Sequence, residues 1–529
     1  MRDRRTSARA KASVAAPGSV DMAVPHRVAR GTLSLLANRL VTLGVWFFLT
    51  PFMVSHLGHT TYGLWALIGS IVAYASLLDL GIAASIVKFV AEHRAREEHE
   101  ELTAMLASCL GAFLALGALV VTLGATLAPF LPNIFDIPAD DQRTASWAIL
   151  AAAANAGLSL PLSIPNAVLF GLQRLDLVAI SAIVSMGLFA FATVVVLSLH
   201  GGLVLLVLMG IPVSLLGGSL SMFFVRRVAP DIRIGLRRWD RRTMRKLGSF
   251  SLPAFALEAG GQLESSTDDI VVGAFLPVAA VGPYSVARQL SALPQVLSAQ
   301  FSWAIMPLAS QFDAQDSRSR VRELLVTATR TALASFLPIG LGVMILGSRF
   351  LTAWIGPAFG SAGTIVVVLT CAGLLYTTLG PAAVVSIGSN RHRVLAALAI
   401  GGAVLNVTLS IILVYPYGAL GVALGTLIAA ASRVVVSVPY LARIHGVGAR
   451  TCLGSILIPA GLPALPTMAM LFLLRETLNP SSVLTVVLVG AAGGIIYVFA
   501  YLCMPSCATE RALVRHEFAR LVRPRSVIV

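Results

Sequence analysis

The sequence predicts an all-α polytopic membrane protein, and three observations lead to this prediction. Hydrophobic residues make up 57% of the 529 positions and charged residues only 12%, about half of the roughly 25% that is usual in soluble proteins. Mean hydropathy is +0.86. Apolar segments of about 20 residues, the length that crosses a bilayer as a helix, recur along the chain. This composition excludes a soluble enzyme, and five cysteines are too few for a secreted disulfide scaffold.

Fourteen apolar segments are long enough to be membrane-spanning helices. The seventh and eighth contain the most polar residues. The predicted spans are 31–55, 62–90, 103–131, 143–171, 177–199, 202–225, 248–276, 283–311, 323–347, 362–388, 394–414, 418–441, 452–474 and 483–506.

A long basic loop divides these spans into two sets of six, with two further spans at the end. Six spans return the chain to the same side of the membrane, so two six-helix lobes would share one orientation, as in transporters built from parallel repeats. The predicted domains are a basic tail (1–30), an N-terminal lobe with helices 1–6 (31–225), the basic loop (226–247), a C-terminal lobe with helices 7–12 (248–445), helices 13–14 (446–506) and a second tail (507–529).

The two lobes begin with similar segments. FMVSHLGHTTYGLWALI at 52–68 and AFLPVAAVGPYSVARQL at 274–290 each end a span, place a glycine in a short turn (Gly58, Gly282) and open the next helix with a tyrosine (Tyr62, Tyr284). Ten prolines also lie inside spans, Pro51 in the first among them. Each removes a backbone hydrogen bond and permits a kink.

The distribution of basic residues predicts the orientation in the membrane. With the N-terminus in the cytoplasm, 32 of the 39 Lys and Arg residues fall on the inner side, and the outer loops hold only Arg143, Arg349 and Arg475. This asymmetry follows the positive-inside rule and places both termini in the cytoplasm. It accounts for most of the net charge of +15, so we expect no nucleic-acid partner. The outer loops are short, and we expect no enzymatic activity and no catalytic residues.

Polar residues in the seventh and eighth spans predict a hydrated cavity. Glu258, Gln262, Ser265 and Asp269 recur at helical spacing and form one stripe, and Glu264 and Asp268 form a neighbouring one. A charge at mid-membrane costs about 2.5–3.5 kcal/mol on insertion scales, so it should face protein or water. In the eighth span, Arg288, next to Gln289, could form an ion pair with Asp268 or Asp269, or it could face the cavity and bind phosphate.

The first two spans also carry polar residues. Arg39, next to Asn38, could bind a diphosphate through its planar guanidinium or extend to the inner membrane surface; Asp79 lies in the second span. We expect Arg330 to extend toward the inner surface, whereas Arg433 lies at mid-span. The candidate substrate-binding residues are Asn38, Arg39, Asp79, Glu258, Gln262, Asp269, Arg288 and Gln289. A cavity with both cations and carboxylates suits an amphiphilic substrate with anionic and hydroxyl-rich parts.

Several motifs resemble polysaccharide transporters, the O-antigen-type oligosaccharide flippases of the multidrug/oligosaccharidyl-lipid/polysaccharide exporter superfamily. In the segment 31–107 these are ANRL, LGHTTYGLW and YASLLDLGIAASIVKFVAE; further on they are DDIVVGAFLPVAAVGPYSVARQL (268–290) and LTAWIGPAFGSA (351–362). The resemblance covers about 31–445. It implies alternating access between two lobes and movement of a polyprenyl-diphosphate-linked oligosaccharide to the outer leaflet of the cytoplasmic membrane.

Two alternatives remain within this superfamily. Fourteen spans also fit the lipid II flippase branch, in which the last two helices help to form a groove for the lipid tail, and an ion-coupled multidrug exporter is the other possibility. The resemblance implies membrane lipids and a lipid-linked glycan as partners, and glycosyltransferases or a polymerase of the same pathway. The sequence contains no nucleotide-binding motif of the P-loop type and no clustered metal ligands, so we expect neither a cofactor nor a metal.

Overall fold

The computed structural model describes residues 23–79, 81–232, 234–235, 255, 259–263, 266–315, 317–388, 393–507 and 510–511. Within these residues every regular element is a helix and there is no β-strand, which confirms the all-α prediction.

Thirteen helices form the frame of the described chain. Their bounds are α1 Ala23–Ala73, α2 Ile82–Ala95, α3 His99–Leu127, α4 Ala139–Gly171, α5 Leu175–Ser198, α6 Gly210–Val228, α7 266–275, α8 Val281–Ala304, α9 Arg318–Trp354, α10 Gly363–Gly388, α11 Arg393–His445, α12 Ala464–Leu478 and α13 Val483–Cys503. Shorter helices are Leu131–Ile134, Gly202–Leu208, Met306–Ala314, Pro357–Gly360, Ala449–Thr451 and Ile458–Gly461, with 3₁₀ turns at Tyr74–Asp79, Val278–Ala280 and Pro505–Cys507 and a π-helical turn at Cys452–Leu457.

Ten described segments are long and apolar enough to span a membrane. Two of them reverse direction at a glycine and therefore contain two predicted spans each. Gly58 in α1 has φ 75° and Gly418 in α11 has φ 59°, backbone conformations that residues with a side chain rarely adopt. The two remaining predicted spans correspond to α7 and α8. Their polar residues distinguish these two helices from the other spans.

The apolar cores divide the bundle into two lobes that meet at one end. One core belongs to the N-terminal lobe and joins α2, α3, α4 and α6, and two belong to the C-terminal lobe and to the last helices. A fourth contains residues of both lobes, with Met53 and Tyr62 on one side and Val272, Val278 and Tyr284 on the other. This shared core surrounds the turn at Gly58, and we call this end of the bundle the Gly58 end and the opposite one the basic end.

The outer faces of the helices expose large apolar side chains, as expected for contact with lipid. Phe191 on α5 is 68% exposed, and Ile495 and Phe499 on α13 are each 71% exposed. Exposed apolar area on this scale is unusual for a soluble protein. Together with the ten spanning segments, these faces show a multi-pass membrane protein.

The last two helices pack against α9 of the C-terminal lobe. Arg330 of α9 is buried there, and its Nε and Nη2 donate to Glu510 Oε1 at 2.9 and 2.6 Å, while Nη1 reaches the Ser455 carbonyl at 3.4 Å. The prediction that Arg330 extends to the membrane surface is therefore wrong. A carboxylate beyond the last helix, far away in the sequence, neutralises the guanidinium inside the protein.

Candidate substrate cavity and lobe interface

A buried ion pair lies where the two lobes meet. Arg288 of α8 donates to Asp269 of α7, with Nη2–Oδ2 at 2.7 Å and Nε–Oδ1 at 3.3 Å. Ser70 of α1, in the other lobe, donates to the same Oδ2 at 2.7 Å. Asp269 is fully buried and the Arg288 side chain is 29% exposed. Arg288 therefore forms the ion pair, completed by a hydroxyl of the opposite lobe, and it also faces the cavity described below.

The neighbouring carboxylate, Asp268, joins three helices of the C-terminal lobe. Its Oδ2 accepts hydrogen bonds from Tyr284 Oη and Thr426 Oγ1, both at 2.9 Å, and its Oδ1 accepts one from Asn406 Nδ2 at 3.3 Å. Ser410 Oγ donates to Asn406 Oδ1 at 3.3 Å. These residues are all less than 10% exposed. Asp268 therefore connects α7, α8 and both limbs of α11.

A cavity of about 250 Å³ opens beside these carboxylates. Its walls come from α7, α8, α10 and α11, so it lies within the C-terminal lobe. The polar lining side chains are Asp268, Arg288, Ser291, Gln295, Tyr376 and Thr426. The guanidinium of Arg433 lies over the Tyr376 ring at 5.5 Å from the centroid, a cation–π arrangement. The cavity thus combines a cation, a carboxylate, an amide, hydroxyls and an aromatic ring within membrane-spanning helices.

The lobes approach each other so closely at the Gly58 end that only glycine fits at one position. A Cβ atom on Gly63 of α1 would overlap the carbonyl oxygen of Val278, and one on Gly282 would lie 3.2 Å from Tyr62 Cδ1. Tyr74 Oη is hydrogen-bonded to Thr267 Oγ1, eleven residues from Gly63 and from Val278 and therefore deeper in the bundle. The two segments that looked alike in the sequence therefore pack against each other across the lobe interface.

A further contact between the lobes uses a proline. Pro51 of α1 has no N–H, so the carbonyl of Phe47, four residues earlier, loses its usual partner within the helix. The indole Nε1 of Trp354, at the end of α9 in the other lobe, donates to this carbonyl at 2.9 Å. The rings of Phe47 and Trp354 stack with centroids 5.5 Å apart. The kinked first helix is thus joined to the C-terminal lobe.

The other predicted residues lie outside the ion pair. Arg39 is exposed and Asn38 is half-buried on the first limb of α1. Asp79 accepts the Ala83 N–H at 2.9 Å and so caps α2 within the N-terminal lobe, where its 3₁₀ turn packs on α3 and α4. Gln262 donates to Ser266 Oγ at 2.7 Å, and Gln289 is exposed.

Part of the predicted polar stripe lies outside the described residues, namely Glu258, Glu264 and Ser265. The structure therefore brings Asp269 and Arg288 together, with Gln262 on the same helix as Asp269. It places Asp79 elsewhere, within the N-terminal lobe.

Among the described residues, the structure brings together one group of metal-ligand side chains that was not predicted from the sequence. His93 Nδ1 lies 2.7 Å from Glu98 Oε2 and 3.8 Å from Glu101 Oε2, in the turn between α2 and α3. Arg94 is ion-paired to Asp231 beside it. This arrangement is accounted for as a network of surface ion pairs.

The sequence did not predict two residues that line the cavity, Tyr376 and Thr426, or the Asp268 partner Asn406. Asn406 shares its predicted span with the hydroxyl residues Thr408 and Ser410, and an amide in an apolar span is the signal that could have marked it. Thr426 gives no comparable signal, because a threonine hydroxyl is ordinary in a membrane helix. Tyr376 carries no such signal, because an aromatic ring in a membrane helix is ordinary.

Comparison with known proteins identifies the family. The profile of the family described as "Polysaccharide biosynthesis protein" matches residues 28–313. "Probable low-salt glycan biosynthesis flippase Agl15" of Haloferax volcanii is 24% identical over 249 residues, which are 46% of this chain and 52% of that protein, so the match spans about half of that relative. "Uncharacterized membrane protein EpsK" of Bacillus subtilis is 22% identical over 492 residues, 91% of this chain and 95% of that protein.

Two solved structures share the fold. A lipid II flippase, MurJ, in an "inward closed conformation" matches with a TM-score of 0.70 at 15% identity, over 92% of this chain and 99% of the other. An inward-facing multidrug resistance transporter of the MATE family and MOP superfamily matches with a TM-score of 0.64 at 15% identity, over 77% and 98%. With a family profile that spans more than half of its length and this two-lobed fold, the chain belongs to the polysaccharide biosynthesis protein family.

Proposed function

We propose that this protein is a flippase that moves a polyprenyl-diphosphate-linked oligosaccharide from the inner to the outer leaflet of the cytoplasmic membrane by alternating access. The proposal is supported above all by the polar cavity of the C-terminal lobe, lined by Arg288, Gln295 and Tyr376. A guanidinium suits a diphosphate, whereas amide and hydroxyl groups and an aromatic face suit a sugar. A flippase must offer both kinds of contact inside the membrane.

The contacts between the lobes support alternating access. The lobe-to-lobe contacts described above run from the Gly58 end toward the middle of the helices. Gly63–Val278 lies beside the turn, Ser70–Asp269 and Tyr74–Thr267 lie seven and eleven residues further along the chain from Gly63, and Phe47–Trp354 joins the first limb of α1 to the end of α9. By the charge asymmetry of the loops, the Gly58 end faces outward and the basic end faces the cytoplasm. The structure then corresponds to a state closed to the outside, and substrate release requires these contacts to separate.

The cavity is tested with variants that leave the ion pair intact. In a strain that lacks the chromosomal gene, we expect Gln295→Leu with Tyr376→Leu to reduce glycan at the cell surface and to accumulate the lipid-linked intermediate, quantified by mass spectrometry of extracted lipids. Gln300→Leu is the matched control, because Gln300 lies on the same helix and is exposed. Normal surface glycan in the double variant, at equal protein level, would contradict the proposed cavity.

The second candidate substrate is lipid II, and the specific observation in its favour is the pair of helices α12 and α13 packed on α9. The same lipid extracts distinguish the two substrates. Accumulation of a peptide-bearing disaccharide on the polyprenyl diphosphate would favour lipid II, and accumulation of a longer peptide-free glycan would favour the oligosaccharide. Unchanged lipid intermediates with increased drug sensitivity in the deletion strain would instead favour a multidrug exporter.

A further inference from the structure

A second, separate cavity lies at the basic end of the C-terminal lobe. Its volume is about 310 Å³, and its walls come from the ends of three helical elements. Met306–Ala314 contributes Asp313, and the end of α11 contributes Arg443 to Gly446. The start of α9 contributes Ser317, Arg318, Ser319, Val321 and Arg322. None of these residues lines the cavity beside Asp268. A ligand in this pocket would therefore occupy a site different from the proposed substrate cavity.

The lining of this pocket carries an excess of positive charge. Arg318, Arg322 and Arg443 contribute three guanidinium groups, and Asp313 is the one carboxylate among the described lining residues. Arg318 and Arg322 are four residues apart and share a face of α9. Arg322 is held in place because its Nη2 donates to Thr451 Oγ1 at 3.0 Å. The charges thus converge on one cavity from two helices that are distant in sequence.

The start of α9 adds to the attraction for an anion. This helix has 37 residues, and among the described residues Ser317 at its N-cap makes no side-chain bond to the first-turn N–H groups. Free N–H groups and the positive end of the helix dipole attract anions. The hydroxyls of Ser317 and Ser319 also line the pocket. Guanidinium, N–H and hydroxyl donors therefore surround one space.

We propose that this pocket binds a phosphate group, either the headgroup of an anionic phospholipid or a free phosphate compound. Arginine forks match the geometry of phosphate oxygens, and the pocket is large enough for a phosphodiester or diphosphate. It lies where the helices end, at the level at which basic pockets between membrane helices bind lipid headgroups. Arginines that only set the orientation of the protein in the membrane would not need to line one cavity from two helices that are distant in sequence. The proposal is independent of the transported substrate.

The test uses the purified full-length protein in detergent, with two probes. The first probe is phosphatidylglycerol, measured against phosphatidylcholine by native mass spectrometry, and the second is inorganic diphosphate, measured by calorimetry. We expect Arg318→Gln with Arg443→Gln to weaken binding of at least one probe fivefold or more. The matched control is Arg226→Gln with Arg227→Gln, which removes the same charge from exposed residues at the last turn of α6, and we expect less than a twofold change.

The two probes identify the source of the phosphate. If the pocket variant loses binding of phosphatidylglycerol alone, the ligand is a lipid headgroup. If it loses binding of diphosphate, alone or together with the lipid, the ligand is a free phosphate group. Equal losses in the pocket and control variants, or no loss in the pocket variant, would overturn the proposal. Thr451→Val provides a charge-neutral second variant, since it releases Arg322, and we expect a two- to threefold loss even if the arginine variant folds poorly.

Discussion

The two lobes open with hairpins that resemble each other in sequence but are stabilised differently. In the N-terminal lobe, Trp46 packs on Trp65 and on Phe189, with ring centroids 5.7 and 6.1 Å apart. In the C-terminal lobe, Asp269 and Arg288 join α7 to α8 through a buried ion pair. The first hairpin is therefore held by apolar packing and the second by charge. In the part of the chain that the structure describes, the buried polar groups that could contact a substrate lie mainly on one side of the lobe interface.

The largest effect is expected from breaking the charged hairpin. Asp269→Ala would leave Arg288 without its counter-charge in a buried site, and losing one partner of such a pair typically costs about 3–5 kcal/mol. The free energy of unfolding, measured by denaturant titration of the purified protein, should decrease accordingly. Removing both charges with Asp269→Ala and Arg288→Ala should be less damaging than Asp269→Ala alone. If the double variant lost the sum of the two single effects, the ion pair would not be the stabilising contact.

A smaller effect is expected from separating the two hairpins. Gly63→Ala would place a methyl group against the Val278 carbonyl, and overpacking of this kind costs about 1–3 kcal/mol. Gly69→Ala is the matched control, because a Cβ there meets nothing within 4 Å. Both variants are compared by thermal unfolding and by accessibility of Tyr284 to modification at the lobe interface. Equal behaviour of the two variants would contradict the close approach of the lobes at Gly63.

A change of about 1 kcal/mol is expected from Trp354→Phe, because the variant keeps an aromatic ring but loses the hydrogen bond to Phe47. We expect the lobes to separate more often at the Gly58 end. Spin labels at Ser55 and Ser361, in a background without other cysteines, should show a broader and longer distance distribution. Trp147→Phe, at an exposed tryptophan of α4, should leave the distribution unchanged, and an unchanged distribution in Trp354→Phe would exclude a closing role.

The smallest effect on stability is expected at Arg39, an exposed residue on the first limb of α1. Arg39→Ala should change the free energy of unfolding by no more than about 0.5 kcal/mol. Under the proposed function, loss of a charged hydrogen bond to a diphosphate should still reduce glycan export about tenfold. Arg39→Lys should restore part of the export. Full export in Arg39→Ala would leave extension to the membrane surface as the role of this residue.

Local chemistry explains why much of the fold could be predicted from the sequence. The apolar spans and the reversal at Gly58 depend on residues close together in the chain, so hydropathy and one glycine are sufficient to predict them. The pairing of Arg288 with Asp269 could be anticipated as one of two outcomes, because a hairpin brings α7 and α8 together. The burial of Arg330 in an ion pair with Glu510 could not be anticipated, because 180 residues separate the two partners.

The candidate site likewise contains residues that could be predicted from the sequence and residues that could not. Asp269 and Arg288 were identified because charge in an apolar span is conspicuous. Asn406 and Thr426, the partners of Asp268 on α11, were not identified, because 138 and 158 residues separate them from Asp268 in the sequence. No local pattern shows which spans become neighbours, so such contacts depend on the packing of the whole lobe.

The carbonyl that Pro51 leaves free has a consequence for the movement of the lobes. When Trp354 moves away, the Phe47 oxygen loses its donor, and a carbonyl left without a hydrogen bond away from water costs about 1–3 kcal/mol. Water must therefore reach this point of α1 as the Gly58 end opens, so that opening and hydration form a single step. The opening rate should consequently decrease as osmolytes lower the water activity, although none of them binds to the protein.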